Sequence, residues 1–181
     1  MASITVGSLS VSESNKFIVR IGISGHQKLG AQEATAWTQA QIEIALNKKD
    51  FYSGITSLAE GADQLFGQVV LDLGRSIEVV IPCDHYEDAF TNAAAARLFR
   101  QLKQRALYCH SLPFGRPSEE AFYEAGKRVV QMSDLLIAVW NGKPAAGLGG
   151  TADIVKYALE SAKEVLHINP FTLTTQTLEA S

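Results

Sequence analysis

Short runs of consecutive apolar residues recur along this chain, and longer stretches with apolar residues three or four positions apart separate them. Runs of this length are typical of strands that are buried on both faces of a parallel sheet. The wider spacing is typical of amphipathic helices. The runs predict strands at residues 17–23, 53–57, 77–82, 107–112, 135–140 and 164–168.

The stretches between these strands predict helices with recognisable ends. A helix over 31–47 places Trp37 and Ile44 on its inner face, and Gly74 ends the next helix as a C-terminal cap. An alanine-rich helix covers 90–106, and Ser118 opens another, with acidic residues in its first turn. A last helix begins near residue 151.

Alternating strands and helices predict an α/β fold with three layers, in which helices cover both faces of an open parallel sheet. The 181 residues suit a single domain. We place that domain at 17–169, between a flexible N-terminal tail at 1–16 and a polar C-terminal tail at 170–181.

Four loops meet at one edge of the predicted sheet. The segments 22–26, 57–63, 82–88 and 141–151 each follow a strand, and ligands of open α/β sheets bind at the carboxyl ends of the strands. The convergence of four candidate segments predicts a ligand site at this edge.

The loop at 141–149 is the strongest part of this candidate site. It contains three glycines and a proline, and the helix that follows can be capped by Thr151 or Asp153. Because backbone N–H groups and the helix dipole favour an anion there, Gly149 and Gly150 predict a phosphate site. The alternative is a turn whose glycines only allow the helix and strand to pack closely.

Composition narrows the classes of function. The chain is 46% hydrophobic and 19% charged, with a net charge of −3 and scattered basic residues, so we expect no nucleic-acid partner. Cys83 and Cys109 form no C-x-x-C pair, and we expect buried, reduced thiols, no metal and no cofactor. The chain has no apolar run of membrane-spanning length and no signal peptide, which predicts a cytoplasmic protein with no membrane partner.

Several side chains near the predicted edge can support chemistry. His26 can donate to a phosphate or act as an acid or base, or it can simply bind the backbone of its turn. Asp84 can hold a ribose or belong to a solvated loop. Glu60 and Glu124 can meet at the pocket, where a carboxylate would bind hydroxyls or activate water. The carboxylates near this edge are Glu60, Asp63, Asp84, Glu124, Asp134 and Asp153, of which Asp134 precedes its strand.

Four segments together resemble the SLOG superfamily, which joins the DNA-processing protein DprA to the Lonely Guy phosphoribohydrolases. They are residues 21–26 (IGISGH), 57–63 (SLAEGAD), 133–142 (SDLLIAVWNG) and 149–153 (GGTAD). The resemblance implies a Rossmann-like fold that binds a nucleotide or nucleotide derivative. It also implies a dimer, for which the helix at 90–106 offers a face, and a possible effector protein as partner.

The chain departs from the Lonely Guy pattern at both catalytic positions. Ile154 stands where that signature has its glutamate, and Ala125 aligns with its arginine. We therefore expect binding or sensing of a nucleotide-derived ligand. The alternative is an N-glycosidic hydrolase of nucleoside monophosphates that uses Glu60, Glu124 or Asp153. The predicted ligand contacts are Gly22, Ser24, Gly25, His26, Leu58, Ala59, Glu60, Asp84, Trp140, Gly142, Gly149, Gly150 and Thr151.

Overall fold

Seven strands form one sheet within the residues that the computed structural model describes, 19–144 and 148–179. Their order across the sheet is β4-β3-β2-β1-β5-β6-β7. The strands are β1 (Arg20–Gly25), β2 (Ser53–Thr56), β3 (Ser76–Ile81), β4 (Tyr108–Ser111), β5 (Leu135–Val139), β6 (Glu164–Asn169) and β7 (Thr174–Leu178). All neighbouring pairs are parallel except β6 and β7, which are antiparallel.

Helices cover both faces of this sheet. They are α1 (Gln32–Asn47), α2 (Ala62–Asp72), α3 (Ala93–Gln104), α4 (Glu119–Met132) and α5 (Thr151–Glu160), with a 3-10 helix at Tyr86–Ala89. The buried side chains form two clusters: α1, α2, α3 and the first turn of α4 contribute to one, and the rest of α4 and α5 contribute to the other. Successive residues of β5 alternate between the two clusters, as expected for a strand that is covered on both faces. The predicted fold class is confirmed.

The predicted helix ends agree with the structure at two places. The Ser118 hydroxyl accepts the Ala121 N–H at the start of α4. Gly74 has a φ of +71° directly after α2, and the Arg75 N–H donates to the Val70 carbonyl. Together these features form a glycine C-terminal cap.

The residues after β6 differ from the sequence prediction of a polar tail. Asn169 accepts hydrogen bonds from the Phe171 and Thr172 N–H groups, and the resulting turn directs residues 174–178 back along β6. β-branched threonines favour a strand, and polar side chains suit an edge strand that water covers. The predicted N-terminal tail at 1–16 lies outside the described residues.

Two further expectations were wrong. The buried face of α1 carries Thr38, Ile42, Ala45 and Leu46, so Ile44 is 46% exposed and Trp37 only partly buried. The predicted stripe was rotated because Thr38, whose hydroxyl bonds the Ala34 carbonyl, occupies a buried position. Cys109 is exposed because β4 is an edge strand, whereas Cys83 is buried as expected; both thiols are free.

Candidate functional site

A cavity of about 470 Å³ opens at the carboxyl ends of the central strands. Its walls come from the ends of β1, β2, β3 and β5, from the first turns of α2 and α5, and from the first three turns of α4. The cavity lies where strand order reverses, between β1 and β5. Both its place and its size are those of a small-molecule site in an open α/β sheet.

The start of α5 presents unpartnered N–H groups to this cavity. Gly150 is the N-cap, and no side chain caps the helix, so the prediction of a Thr151 or Asp153 cap was wrong. Asp153 instead accepts the N–H of the preceding Gly149 at 3.1 Å. The N–H groups of Gly150, Thr151 and Ala152 have no partner among the described residues, and all three residues line the cavity. This geometry is suited to an anion.

Gly149 holds this first turn against α4. Its φ is +84°, and a Cβ there would lie 3.0 Å from the Tyr123 N and 3.1 Å from the Glu119 O. Both neighbours are backbone atoms, which have little freedom to move aside. A glycine is therefore required for the close approach of the loop to α4.

The end of β1 contributes His26. The backbone N–H of His26 donates to the Val139 carbonyl at 2.8 Å. The Nε2 of its ring accepts the Asn141 backbone N–H at 3.4 Å. The ring thus joins the ends of β1 and β5 while it lines the cavity. The sequence left two alternatives for His26, a hydrogen bond to the backbone of its turn or a place in the ligand site. In the structure His26 has both.

Aromatic side chains form one wall of the cavity. Tyr86 and Phe90 follow β3, and Phe122 comes from the first turn of α4. The Tyr86 ring centroid lies 5.4 Å from that of Phe90 and 6.2 Å from that of Phe122. None of these three residues is among the predicted ligand contacts, although all three lie in segments that follow or flank the predicted edge.

Trp140, the residue after β5, lines the cavity. Its Nε1 donates to the Lys143 carbonyl at 3.0 Å, and its ring stacks on His167 with centroids 4.1 Å apart. These contacts hold the first residues of the loop after β5 in place. Lys143 lines the cavity in the same loop.

Two carboxyl groups line the cavity. Glu60 accepts hydrogen bonds from the Thr91 hydroxyl at 3.1 Å and the Asn92 Nδ2 at 2.6 Å. Asp63 is only 6% exposed, and its Oδ2 accepts the Ser57 N–H at 3.2 Å. Burial raises the pKa of Asp63 from 3.8 to about 7, although the hydrogen bonds from Ser57 and Thr56 act in the opposite direction.

The structure brings most of the predicted contacts to the cavity. Those that line it are Ser24, Gly25, His26, Ala59, Glu60, Trp140, Gly149, Gly150 and Thr151. The predicted residues that do not line it are Gly22, Leu58, Asp84, Gly142, Glu124 and Asp153.

The residues outside the lining have other surroundings. Gly22 and Leu58 are buried, and Asp84 is exposed. Glu124 forms an ion pair with Lys127 at 2.7 Å, so it does not meet Glu60 at the cavity. Among the described residues, no group of His, Cys, Asp and Glu side chains is placed to hold a metal ion. None of the helices in the described parts of the chain has the length and apolar character that a membrane span requires.

The sequence matches no family model and no curated protein, but solved structures resemble the chain. DNA processing protein A (DprA) from Streptococcus pneumoniae is 17% identical with a TM-score of 0.58 over 83% of this chain and 50% of that one. DprA from Helicobacter pylori, studied for its single-stranded DNA binding mode, is 16% identical with a TM-score of 0.61 over 82% and 64%. A molybdenum cofactor binding protein from Rippkaea orientalis is 16% identical with a TM-score of 0.53 over 84% and 77%.

These likenesses establish the fold. The chain spans half the length of the first DprA and 64% of the second. DprA is one of the proteins that the four sequence segments resemble, and its likeness to this chain confirms the Rossmann-like fold that the resemblance implies.

Proposed function

We propose that this protein binds a nucleotide or nucleotide-derived ligand in the cavity at the β1–β5 switch point. The observation that carries the proposal is that unpartnered N–H groups of α5 and an aromatic wall line the same cavity. The N–H groups suit a phosphate, and the aromatic wall suits a flat base. A ligand that has both parts is a nucleotide.

The charges around the start of α5 support an anion there. The N-terminus of a helix carries about half a positive charge, and Lys143 lines the same cavity. Thr151 is buried at the first position of α5, where its hydroxyl adds a further donor. Gly150, with no side chain, lets a phosphate approach the backbone closely.

The distance between the two walls also fits a nucleotide. Within the aromatic wall, Tyr86 and Phe90 follow β3, and α5 follows β5, three strands away across β2 and β1. At about 4.8 Å per strand, three steps span about 14 Å. Glu60 lines the cavity from the loop after β2, between these two ends, where its carboxylate can accept hydrogen bonds from ribose hydroxyls.

The structural neighbours are compatible with this proposal. One is studied for binding single-stranded DNA, and another is described as a molybdenum cofactor binding protein. A thermal-shift screen against nucleotides, cyclic nucleotides and ADP-ribose derivatives would identify the ligand. A ligand at 100 times its Kd stabilises a protein by about 2.7 kcal/mol.

Thr151→Glu is expected to weaken binding of an anionic nucleotide such as AMP by about tenfold or more. A glutamate in the first turn of α5 suits the helix dipole but repels a phosphate at the same N–H groups. Isothermal titration of AMP measures the loss, and the melting temperature without ligand reports the fold. Ala93→Glu, in the first turn of the exposed start of α3, is the matched control.

Two results would contradict this assignment. One is a folded Thr151→Glu variant that binds AMP as tightly as wild type. The other is Lys143→Glu with unchanged affinity, a second test that places the charge on an exposed loop and leaves the core intact.

The purified protein is expected not to release adenine from AMP. Ile154 and Ala125 are buried apolar residues at the positions of the Lonely Guy catalytic pair, and Glu124 and Asp153 are engaged elsewhere. Chromatography of free base measures the reaction. Base release that disappears in Glu60→Gln or Glu124→Gln would favour the N-glycosidic hydrolase instead.

We also expect a dimer, with α3 as the candidate contact and an effector protein as a possible further partner. Ala93 and Ala94 are exposed on α3, and so are Arg97, Arg100 and Lys103. The contact surface would therefore include basic side chains. Light scattering at micromolar concentration tests the assembly, and a monomeric mass would count against it.

A further inference from the structure

A second, smaller cavity of about 260 Å³ adjoins the first one. Gln27 and Glu60 line both cavities, and α1, α2 and α3 border the second. We propose that the ligand is a dinucleotide that continues into the second cavity, where Gln64 binds a planar group with no negative charge and with an N–H donor beside an acceptor. This inference rests on the proposed function and names the class of nucleotide that the site takes.

Gln64 is buried, and its surroundings determine how its side-chain amide is turned. Only 4% of the residue is exposed. Its Nε2 donates to the Ala95 carbonyl at 2.9 Å and to the Leu58 carbonyl at 3.3 Å. The reverse orientation would place Oε1 against these two carbonyl oxygens, none of which can donate a hydrogen bond. The amide nitrogen is therefore engaged within the protein, and Oε1 is the atom that remains for a ligand.

The Oε1 of Gln64 reaches the second cavity. No group among the described residues donates to this oxygen. In the same part of the chain, Arg20 Nε is the one side-chain nitrogen or oxygen that is both enclosed and without a partner, so Gln64 Oε1 is accessible from open space. Gln64 lines the second cavity and not the first. A buried acceptor that meets this cavity without a donor favours a ligand that supplies one.

The other walls of the second cavity also suit a planar group without negative charge. Among the described residues that line it, Glu60 is the one charged side chain, so the cavity does not suit a phosphate. The side-chain amides of Gln27 and Gln68 have no partners in the described parts of the chain, and an amide both donates and accepts. Apolar contact comes from three leucines: Leu29, Leu65 and Leu98. A carboxamide ring or a nucleobase complements all of these groups.

The position of the second cavity relative to the first points to a dinucleotide. The first cavity already accounts for the phosphate, the ribose and the base of one nucleotide. Because Glu60 borders both cavities, the ribose that it is proposed to contact lies next to the second cavity. A group bound to Gln64 therefore belongs to a further half of the same ligand.

The test is isothermal titration of ADP-ribose, NAD⁺ and nicotinic acid adenine dinucleotide. These ligands share their ADP-ribose portion, and they end in no ring, a carboxamide ring and a carboxylate ring, respectively. We expect NAD⁺ to bind about tenfold tighter than ADP-ribose, because Gln64 Oε1 accepts the carboxamide N–H. Nicotinic acid adenine dinucleotide should bind about tenfold more weakly than NAD⁺, since its carboxylate has no donor for that oxygen.

Diadenosine diphosphate distinguishes the two sources of the planar group. It carries a second adenine where NAD⁺ carries the carboxamide ring. If the second cavity takes a nucleobase, diadenosine diphosphate should exceed ADP-ribose in affinity by the margin expected for NAD⁺. If the cavity takes a carboxamide ring, NAD⁺ alone should show that gain.

Gln68→Lys is expected to remove the preference for NAD⁺ over nicotinic acid adenine dinucleotide. Gln68 lies one turn after Gln64 on α2 and lines the same cavity. An ammonium group there attracts the carboxylate and should reduce the preference by about tenfold. Gln39→Lys is the matched control, since it places the same charge on an exposed position of α1 that lines neither cavity.

Gln64→Met removes the acceptor itself and should abolish the gain of NAD⁺ over ADP-ribose. Its melting temperature without ligand reports the fold, because the variant also loses the hydrogen bonds to the Leu58 and Ala95 carbonyls. Should Gln64→Met fail to fold, the wild-type titrations and Gln68→Lys still decide.

The remaining outcomes separate the inference from the proposed function. The inference is wrong if neither NAD⁺ nor diadenosine diphosphate binds more tightly than ADP-ribose. It is also wrong if nicotinic acid adenine dinucleotide binds as tightly as an NAD⁺ that exceeds ADP-ribose. In both cases binding of AMP would leave the proposed function standing. Absence of binding by AMP and by all four larger ligands would contradict the proposed function itself.

Discussion

Replacing Gly61 by alanine is expected to destabilise the protein by about 3–5 kcal/mol. Gly61 precedes α2 with a φ of +87°, a conformation that side chains rarely adopt. A Cβ there would overlap the Gln27 carbonyl and lie 2.6 Å from the His26 oxygen. Because both are backbone atoms, relief requires α2 to move away from the end of β1, where the Ala62 N–H donates to the His26 carbonyl at 3.1 Å.

Gly74→Ala is the matched control for this prediction. Gly74 has a similar φ of +71°, but a Cβ there meets no atom within 4 Å. Its substitution should therefore cost only the conformational penalty of about 1–2 kcal/mol. Urea unfolding of the two variants gives the comparison, and equal losses would show that the contact with His26 and Gln27 is not what requires glycine at position 61.

The layers of the fold could be predicted because burial on two faces leaves a simple pattern. A continuous apolar run of five or six residues, such as the one that forms β5, is typical of a buried strand in a chain of this size. Because strands and helices alternate along the chain, the edge formed by the carboxyl ends of the strands could be predicted. The glycines before α5 and the turn at His26 were expected at this edge, and the structure places both there. Backbone features of this kind are local, so the sequence carries them.

The aromatic wall and the buried acid were harder to predict. Tyr86 lies in a stretch that is otherwise polar and acidic, and only the folded structure packs it on Phe90 and Phe122 and brings it to the cavity. Asp63 in the first turn of α2 looks like an ordinary helix-start residue. Its burial depends on the aromatic wall and the neighbouring strands, which are distant in sequence.

Glu124 shows how one position decides a functional assignment. It lies next to Ala125, which is buried on the inner face of α4. Successive residues of a helix differ by about 100° in direction, so Glu124 turns to Lys127 instead of the cavity. A pattern of apolar residues predicts that a helix has an inner face, but it does not determine the edge of that face to one residue.

The free energy of unfolding of wild type is expected to fall relative to Asp63→Asn by about 4 kcal/mol between pH 4 and pH 8. The pKa of Asp63 is raised from 3.8 to about 7 in the folded protein. Between these values the native state holds a proton that the unfolded state has released. The free energy of unfolding therefore decreases as pH rises from 4 to 7. Below pH 4 and above pH 7, Asp63 contributes little further change.

Urea unfolding of wild type and Asp63→Asn across this range measures the effect as a difference, which removes the contribution of every other titrating group. Asp72→Asn should show no such trend relative to wild type, since Asp72 is exposed. A constant difference between wild type and Asp63→Asn from pH 4 to pH 8 would mean that the carboxyl group is charged in the folded protein throughout. A difference that develops between pH 4 and pH 7 would instead show that the folded protein keeps a proton on Asp63 that the unfolded chain has released.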